Sequence, residues 1–210
     1  MDIIKERFAE HIALAQQVAA SSIMQQVAGA ADIIKKALAG GHKVLFCGNG
    51  GSAADCDHLV GELMKGFLKK RPFSPEKKEL FGDAEMAENL QKGLPAISLC
   101  AHSALMTAFE NDAVPALVFA QQVCAYAAKN DLLIAFTTSG NSANVVYALK
   151  AAKAAGVGSV AVTGERESES SRLADVCIRL PETETFKVQE LTLPVYHCLA
   201  AMIEDKYFEI

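Results

Sequence analysis

The sequence predicts an α/β fold, a parallel sheet sandwiched between helical layers (αβα). Three observations carry that expectation. Uncharged apolar runs at 44–47, 132–136 and 158–163 read as strands buried on both faces. Segments with apolar residues at helical spacing separate those runs. Small and hydroxyl-bearing residues, Gly48 to Ser52 and Thr137 to Ser142, stand where a strand gives way to a helix. Regular alternation of strand and helix implies right-handed crossovers. Ligands of such sheets bind beyond the carboxyl ends of the strands, where both polar turns must lie.

From the N-terminus, Ile4, Phe8, Ile12, Ala15, Val18 and Ala19 recur at helical spacing and predict a helix over 2–27. A second helix over 30–39 ends at Gly40-Gly41. This extension, residues 1–41, exceeds what one sheet face needs, so it packs either on a partner subunit or as a plain covering layer. The strand at 44–47 then meets Gly48, Asn49, Gly50 and Gly51, whose backbone can take positive φ and approach a ligand. Ser52 is the expected N-cap of the following helix. Strand, glycine turn and helix N-terminus together form either an anion site or merely a tight connection. The spacing matches neither the dinucleotide fingerprint nor the lysine-bearing nucleotide loop. On that helix His58 and Glu62 share a face, as an imidazole–carboxylate pair suited to proton transfer or metal ligation, or as an ordinary surface ion pair.

Residues 68–94 are charged and punctuated by proline, as in Lys69-Lys70-Arg71-Pro72 and Pro75-Glu76-Lys77-Lys78, and predict a surface excursion with a short helix near 84–92. The basic run either draws a phosphorylated ligand or is simply solvated. Further strands are expected at 96–100 and 176–180, and helices at 103–109, 114–128, 143–155 and 185–208. Thr137, Thr138, Ser139 and Ser142 gather four hydroxyls at a strand end before a helix, a set able to hold phosphate oxygens without lysine. On the last helix Gln189 and His197 are eight apart, about 12 Å of rise. They reach one ion only by leaning together or from different subunits.

With 210 residues, 51% of them apolar, the chain can bury one substantial core, and one domain over 1–210 is expected. A net charge of −5 gives no general attraction to nucleic acid or anionic membrane. Six cysteines (47, 56, 100, 124, 177, 198) without a Cys-x-x-Cys pair read as reduced thiols. The first residues lack a signal peptide's apolar stretch, and no apolar run approaches a membrane span, so a soluble cytoplasmic protein is expected.

Cys-Gly-Asn-Gly-Gly-Ser at 47–52, His58 with Glu62, Asn111-Asp112, Thr138-Ser139-Gly140-Asn141-Ser142-Ala143-Asn144, and Gln189-Glu190 with His197 together resemble the sugar isomerase (SIS) domain family, and more narrowly its phosphoheptose isomerases. The resemblance covers nearly the whole chain and implies a Rossmann-like fold and interconversion of sedoheptulose 7-phosphate with a heptose 7-phosphate. It implies substrate contacts from Asn49, Gly50, Gly51, Ser52, Asn111, Asp112, Thr137, Thr138, Ser139, Ser142 and Gln189, with the serine-rich turn on the phosphate. Glu62 and His197 would be catalytic base and acid. His58, Glu62, Gln189 and His197 match positions that bind zinc in family members, and a homotetramer with sites between subunits is implied. A carboxylate and an imidazole flanking a sugar carbonyl suit enediol chemistry independently.

Three departures stand out. The stretch 68–94 is longer than the loop usual in that family, Phe186 occupies a position where an aspartate is usual, and so does His102. Each bears on which phosphorylated sugar is taken. The competing expectations are a non-catalytic SIS protein that senses or binds sugar phosphates, and an enzyme of another class such as a sugar-phosphate lyase or aminosugar isomerase. Glu62 and His197 weigh against the former, and a lone SIS repeat against the aminosugar isomerases.

Overall fold

A computed structural model describes residues 2–208. Two helices, α1 (Asp2–Ala19) and α2 (Ile23–Ala39), precede strand β1 (Val44–Gly48) and helix α3 (Gly51–Met64). After the excursion come β2 (Ala96–Ser98), α6 (Ser103–Asp112), a 3-10 turn (Pro115–Leu117), α7 (Val118–Tyr126) and β3 (Leu132–Phe136). The chain continues through α8 (Ala143–Ala154), β4 (Gly158–Thr163), α9 (Glu169–Leu173), β5 (Val176–Arg179) and α10 (Thr185–Tyr207). The strands form one parallel sheet in the order β2-β1-β3-β4-β5. The expected α/β architecture with its N-terminal helices is therefore present.

The pleat divides the core in two. Val44, Phe46, Leu132, Ile134, Phe136, Val160 and Val162 point toward α2, α3 and α10. Leu45, Cys47, Leu133 and Ala135 point toward α7 and α8. Successive residues of one strand thus serve opposite layers, which is why these strands read as unbroken apolar runs. Register pairs Gly48 of β1 with Phe136 of β3, so the two polar turns leave the sheet side by side.

Several boundaries differ from expectation: α2 begins at Ile23 rather than 30, β2 ends at Ser98 rather than 100, α6 runs on to Asp112, and the helix expected over 114–128 is a 3-10 turn followed by α7. The first helix stops at Ala19 rather than near residue 27. The Ser21 hydroxyl donates to Val18 O at 2.8 Å and accepts from Ile23 N at 3.2 Å, closing a local turn that competes with the helix. Gly29 instead lies within α2, beside the fully buried Ala30 and Ala31. Helix α9 was not expected; Ser168 and Ser171 cap it reciprocally. In α1 only Val18 is buried, while Ile3, Ile4, Phe8 and Ile12 are 55–67% exposed, an apolar stripe facing away from the sheet.

The excursion is bounded by order. It carries α4 (Pro75–Glu79), which was not expected, and α5 (Ala84–Asn89), the short helix expected near 84–92. Ser74 caps α4 by accepting from Lys77 N, and Pro75 opens it without losing a helical hydrogen bond. Its neck is closed by an antiparallel bridge between Pro72 and Gln91, by Lys92 N donating to Arg71 O, and by Gly66 N donating to the Gln91 side chain. The basic run is not uniformly solvated, because Arg71 is 1% exposed. Its guanidinium donates to Glu204 Oε1 (2.9 Å), Leu63 O (2.6 Å) and Glu62 O (3.0 Å), capping the C-terminus of α3. Among the described residues no helix is long and apolar enough to cross a membrane.

Candidate functional site

The first polar turn is shaped by close approach. A Cβ on Gly48 would meet the backbone of Ser52 at 2.7 Å, and one on Gly51 would lie 2.0 Å from the Gln189 amide. The chain therefore doubles back tightly enough to seat Gln189 against the start of α3. Gly50, at φ 55°, is the N-cap, and Ser52 lies buried in the first turn, not at the cap position expected for it. No side chain caps α3, so its first N–H groups face the rim without a side-chain acceptor.

The second turn is pinned from behind. Thr137 is buried and donates to Ser142 Oγ at 3.3 Å. Gly164 N donates to Thr138 O, Ser170 N to Gly140 O, and Asn141 N to Ser139 Oγ. Ser142 is the N-cap of α8 yet makes no side-chain cap bond there, leaving its hydroxyl to Thr137. The two turns are joined by reciprocal amide hydrogen bonds between Asn49 and Asn144, at 2.9 and 2.8 Å. The N-termini of α3 and α8 thus share one rim, an arrangement suited to a phosphate. Gly140 has φ 69°, and a Cβ there would stand 2.0 Å from Ser168 Oγ. We expect Gly140→Ala to destabilise the fold by at least ~1–2 kcal/mol from the left-handed backbone alone, read as a lowered urea midpoint; an unchanged midpoint would contradict this account of the turn.

About two to three helical turns farther along α3, His58 Nε2 stands 3.2 Å from Glu62 Oε1, and Lys65 Nζ 3.2 Å from Glu62 Oε2. His58 Nδ1 lies 2.9 Å from the Tyr196 hydroxyl. The His197 ring packs edge-on to His58 at a centroid distance of 5.3 Å and also touches Phe67 and Tyr196. Glu62 and His197 are therefore brought together around His58 within one chain. Burial pushes the Tyr196 phenol upward, reinforced by the nearby Asp55 charge. Burial also raises the Asp55 carboxyl, against the Tyr196 hydrogen bond and the His58 charge. His197 Nε2 is buried with no partner. A cavity of about 500 Å³ between α1 and α10 is lined by His197 together with Arg7, Phe8, His11, Glu190, Leu193 and Pro194.

Other expected residues stand apart. Gln189 lies at the glycine turn, whereas His197 lies beside His58, so the four side chains matched to zinc do not converge. Among the described residues no three His, Cys, Asp or Glu side chains form a metal-holding group. Asn111 and Asp112 end α6, are exposed, and hydrogen-bond each other at 2.7 Å without bonding to either turn. His102 stacks on Tyr126. Phe186 is exposed, with Arg7 and Lys187 over its ring, so the aspartate position is taken by a cation-attracting aromatic. Sequence reasoning missed Tyr196, whose place directly before His197 was its only trace, and Arg71, which stood inside a basic run.

Comparison with known proteins bears on the fold and the family. The SIS domain profile matches residues 7–164. A phosphoheptose isomerase of Rhodospirillum rubrum is 37% identical over 179 residues, 85% of each chain. Solved phosphoheptose isomerases from Neisseria gonorrhoeae and Francisella tularensis superpose with TM-scores of 0.81 and 0.83, each at 28% identity. The first covers 97% of this chain and 98% of the other, and the second 97% of both. With the profile spanning most of its length and the same topology throughout, the chain belongs to the SIS domain family and, within it, is phosphoheptose isomerase-like.

Proposed function

We propose that this chain is a phosphosugar isomerase that interconverts a ketose and an aldose phosphate, with sedoheptulose 7-phosphate as the substrate to try first. The observation that carries the reading is the meeting of Glu62 and His197 around His58, beside a rim formed by two helix N-termini. The phosphate rests on Ser52, Thr137, Thr138, Ser139 and Ser142 at the N-terminal ends of α3 and α8, where the helix dipoles favour an anion. Asn49, Gly50, Gly51 and Gln189 line the sugar's path to Glu62.

Glu62 takes the proton from C1 of the ketose, the electron pair forms the C1–C2 double bond of an enediol, and the proton returns to C2 to give the aldose. His197 moves the accompanying proton between the oxygens on C1 and C2. Each of these transfers contributes ~10²–10⁴-fold. Zinc suits the site by donor type, two imidazoles and a carboxylate, and by the unpartnered His197 Nε2, though not as a preformed cage. His58, Glu62 and His197, with Gln189 after a side-chain rotation, would hold it. When bound it would polarise the carbonyl.

We further propose that residues 1–210 act as one domain in the cytoplasm, as a homotetramer whose subunits cover the apolar stripe on α1 and bring Asn111 and Asp112 to a neighbouring site. Incubating purified protein with C5 to C7 ketose and aldose phosphates, and measuring stoichiometric zinc in the same sample, tests the activity. Interconversion of sedoheptulose 7-phosphate, lost at least ~100-fold in His197→Ala, is the expected result. Full turnover by that variant, or conversion of none of these sugars, rejects the reading.

A further inference from the structure

The two polar turns open helices of opposite layers, α3 packing on one face of the sheet and α8 on the other. Packing along either helix therefore does not set the distance between their N-termini. Beyond the last register pair, Gly48 with Phe136, that distance is carried by Asn49 and Asn144. Among the described residues, theirs are the only side-chain hydrogen bonds between residues 48–52 and 137–144.

Each partner is rooted at the start of its helix. Asn49 O accepts from Ser52 N at 3.0 Å, and Val145 N donates to Asn144 Oδ1 at 3.0 Å. The second contact also decides which way both amides face. A backbone N–H needs an acceptor, so that atom of Asn144 is the oxygen, and the Asn49 atom opposite it is Nδ2. Asn49 Oδ1 then accepts from Asn144 Nδ2. The pair uses one N–H and one lone pair of the Asn49 amide and leaves one of each for a ligand. Asn49 is exposed and Asn144 half-buried, so water can replace these bonds and they add little to global stability. Their effect is on geometry.

We propose that Asn144 is a positioning residue for the isomerase: by pairing with Asn49 it sets the width of the rim that grips the substrate's phosphate. The proposal rests on that rim being the phosphate site. It gives a task to the last residue of the 138–144 run, which carries no hydroxyl of its own.

Asn144→Ala removes the link and leaves every hydroxyl of the rim in place. The expected result is a KM for sedoheptulose 7-phosphate raised about ten- to a hundred-fold, the scale of a misplaced binding group. The kcat should change less than about three-fold, because grip rather than proton transfer is lost. The urea midpoint should stay near that of the wild type, which a packing defect would not allow. Asn49→Ala combined with Asn144→Ala should bind no worse than Asn49→Ala alone, because Asn144 acts through Asn49. Losses that multiply, or an unchanged KM in Asn144→Ala, overturn the proposal.

A second readout needs no sugar. At constant ionic strength, inorganic phosphate should raise the wild-type Tm, and the rise at the same concentration should shrink in Asn144→Ala. An equal rise in both proteins overturns the proposal. A wild type that phosphate does not stabilise removes the rim as a phosphate site, and the proposal with it. A wild type that binds phosphate but converts no sugar removes the isomerase reading alone, and the Tm comparison still decides what Asn144 does. If Asn144→Ala does not fold, Asn144→Ser, a residue suited to the start of a helix, serves for both readouts.

Discussion

Glu62→Gln lowers kcat for ketose–aldose interconversion at least ~100-fold while KM stays nearly constant, the pattern of a lost proton acceptor rather than lost binding. The substitution isolates basicity. Glutamine Oε1 can still accept from His58 Nε2, and the Arg71 contact is to the backbone carbonyl of residue 62, so neither neighbour is released. The rim formed by the two polar turns lies about three turns away along α3 and does not depend on this side chain. Steady-state kinetics of the variant, with circular dichroism as a check on folding, measures the effect. Turnover within a few-fold of wild type would move the base elsewhere and leave the non-catalytic alternative standing.

The largest expected effect on stability comes from the last turn of α10, where it meets the C-terminal end of α3. Glu204 is buried and accepts from Phe67 N, Leu68 N, Lys69 N and Arg71 Nε, at 2.6 to 2.9 Å. Arg71, equally buried, lies beneath the Phe208 ring. Removing one charge strands the other, which costs about 3–5 kcal/mol for a buried pair. Glu204→Ala should therefore lose about that much in urea unfolding, whereas Arg71→Met with Glu204→Gln should lose clearly less than the sum of the single variants. Additive losses would show that the two side chains are not coupled.

The pair also sets an acid limit. Burial works to raise the Glu204 carboxyl, but the backbone N–H groups of Phe67 and Leu68 and the Arg71 guanidinium outweigh it and hold the carboxyl below its ordinary range. A depressed carboxyl gives stability that is fully present above its unfolded value, about 4.3 for glutamate, and lost as pH falls through the lower folded value. Glu204→Gln should flatten that acid decline.

Much of this was legible from the chain alone. The strands announced themselves because β1 and β3 feed two cores at once, so no polar residue interrupts them. The rim was legible because Gly48 and Gly51 cannot carry a side chain there and because hydroxyls cluster at Thr137 to Ser142. What stayed hidden depends on long-range pairing. Arg71 meets a glutamate 133 residues away, and nothing local distinguishes it from the solvated Lys70 beside it. Tyr196 gains its meaning only when α10 lies along α3. The break after Ala19 turned on one serine hydroxyl, while Gly29, the more obvious helix breaker, sits inside a helix whose neighbouring alanines permit close packing.

The tied neck of the excursion has a consequence for how such a chain can diversify. With Pro72 paired to Gln91 and Arg71 anchored beneath α3, everything between them hangs from a closed ring. Residues 73–90 can lengthen, shorten or change charge while strain stops at the knot and the sheet stays in register. Because the knot also grips the carbonyl of Glu62, the end of α3 that carries this residue stays fixed while the ring beyond it varies.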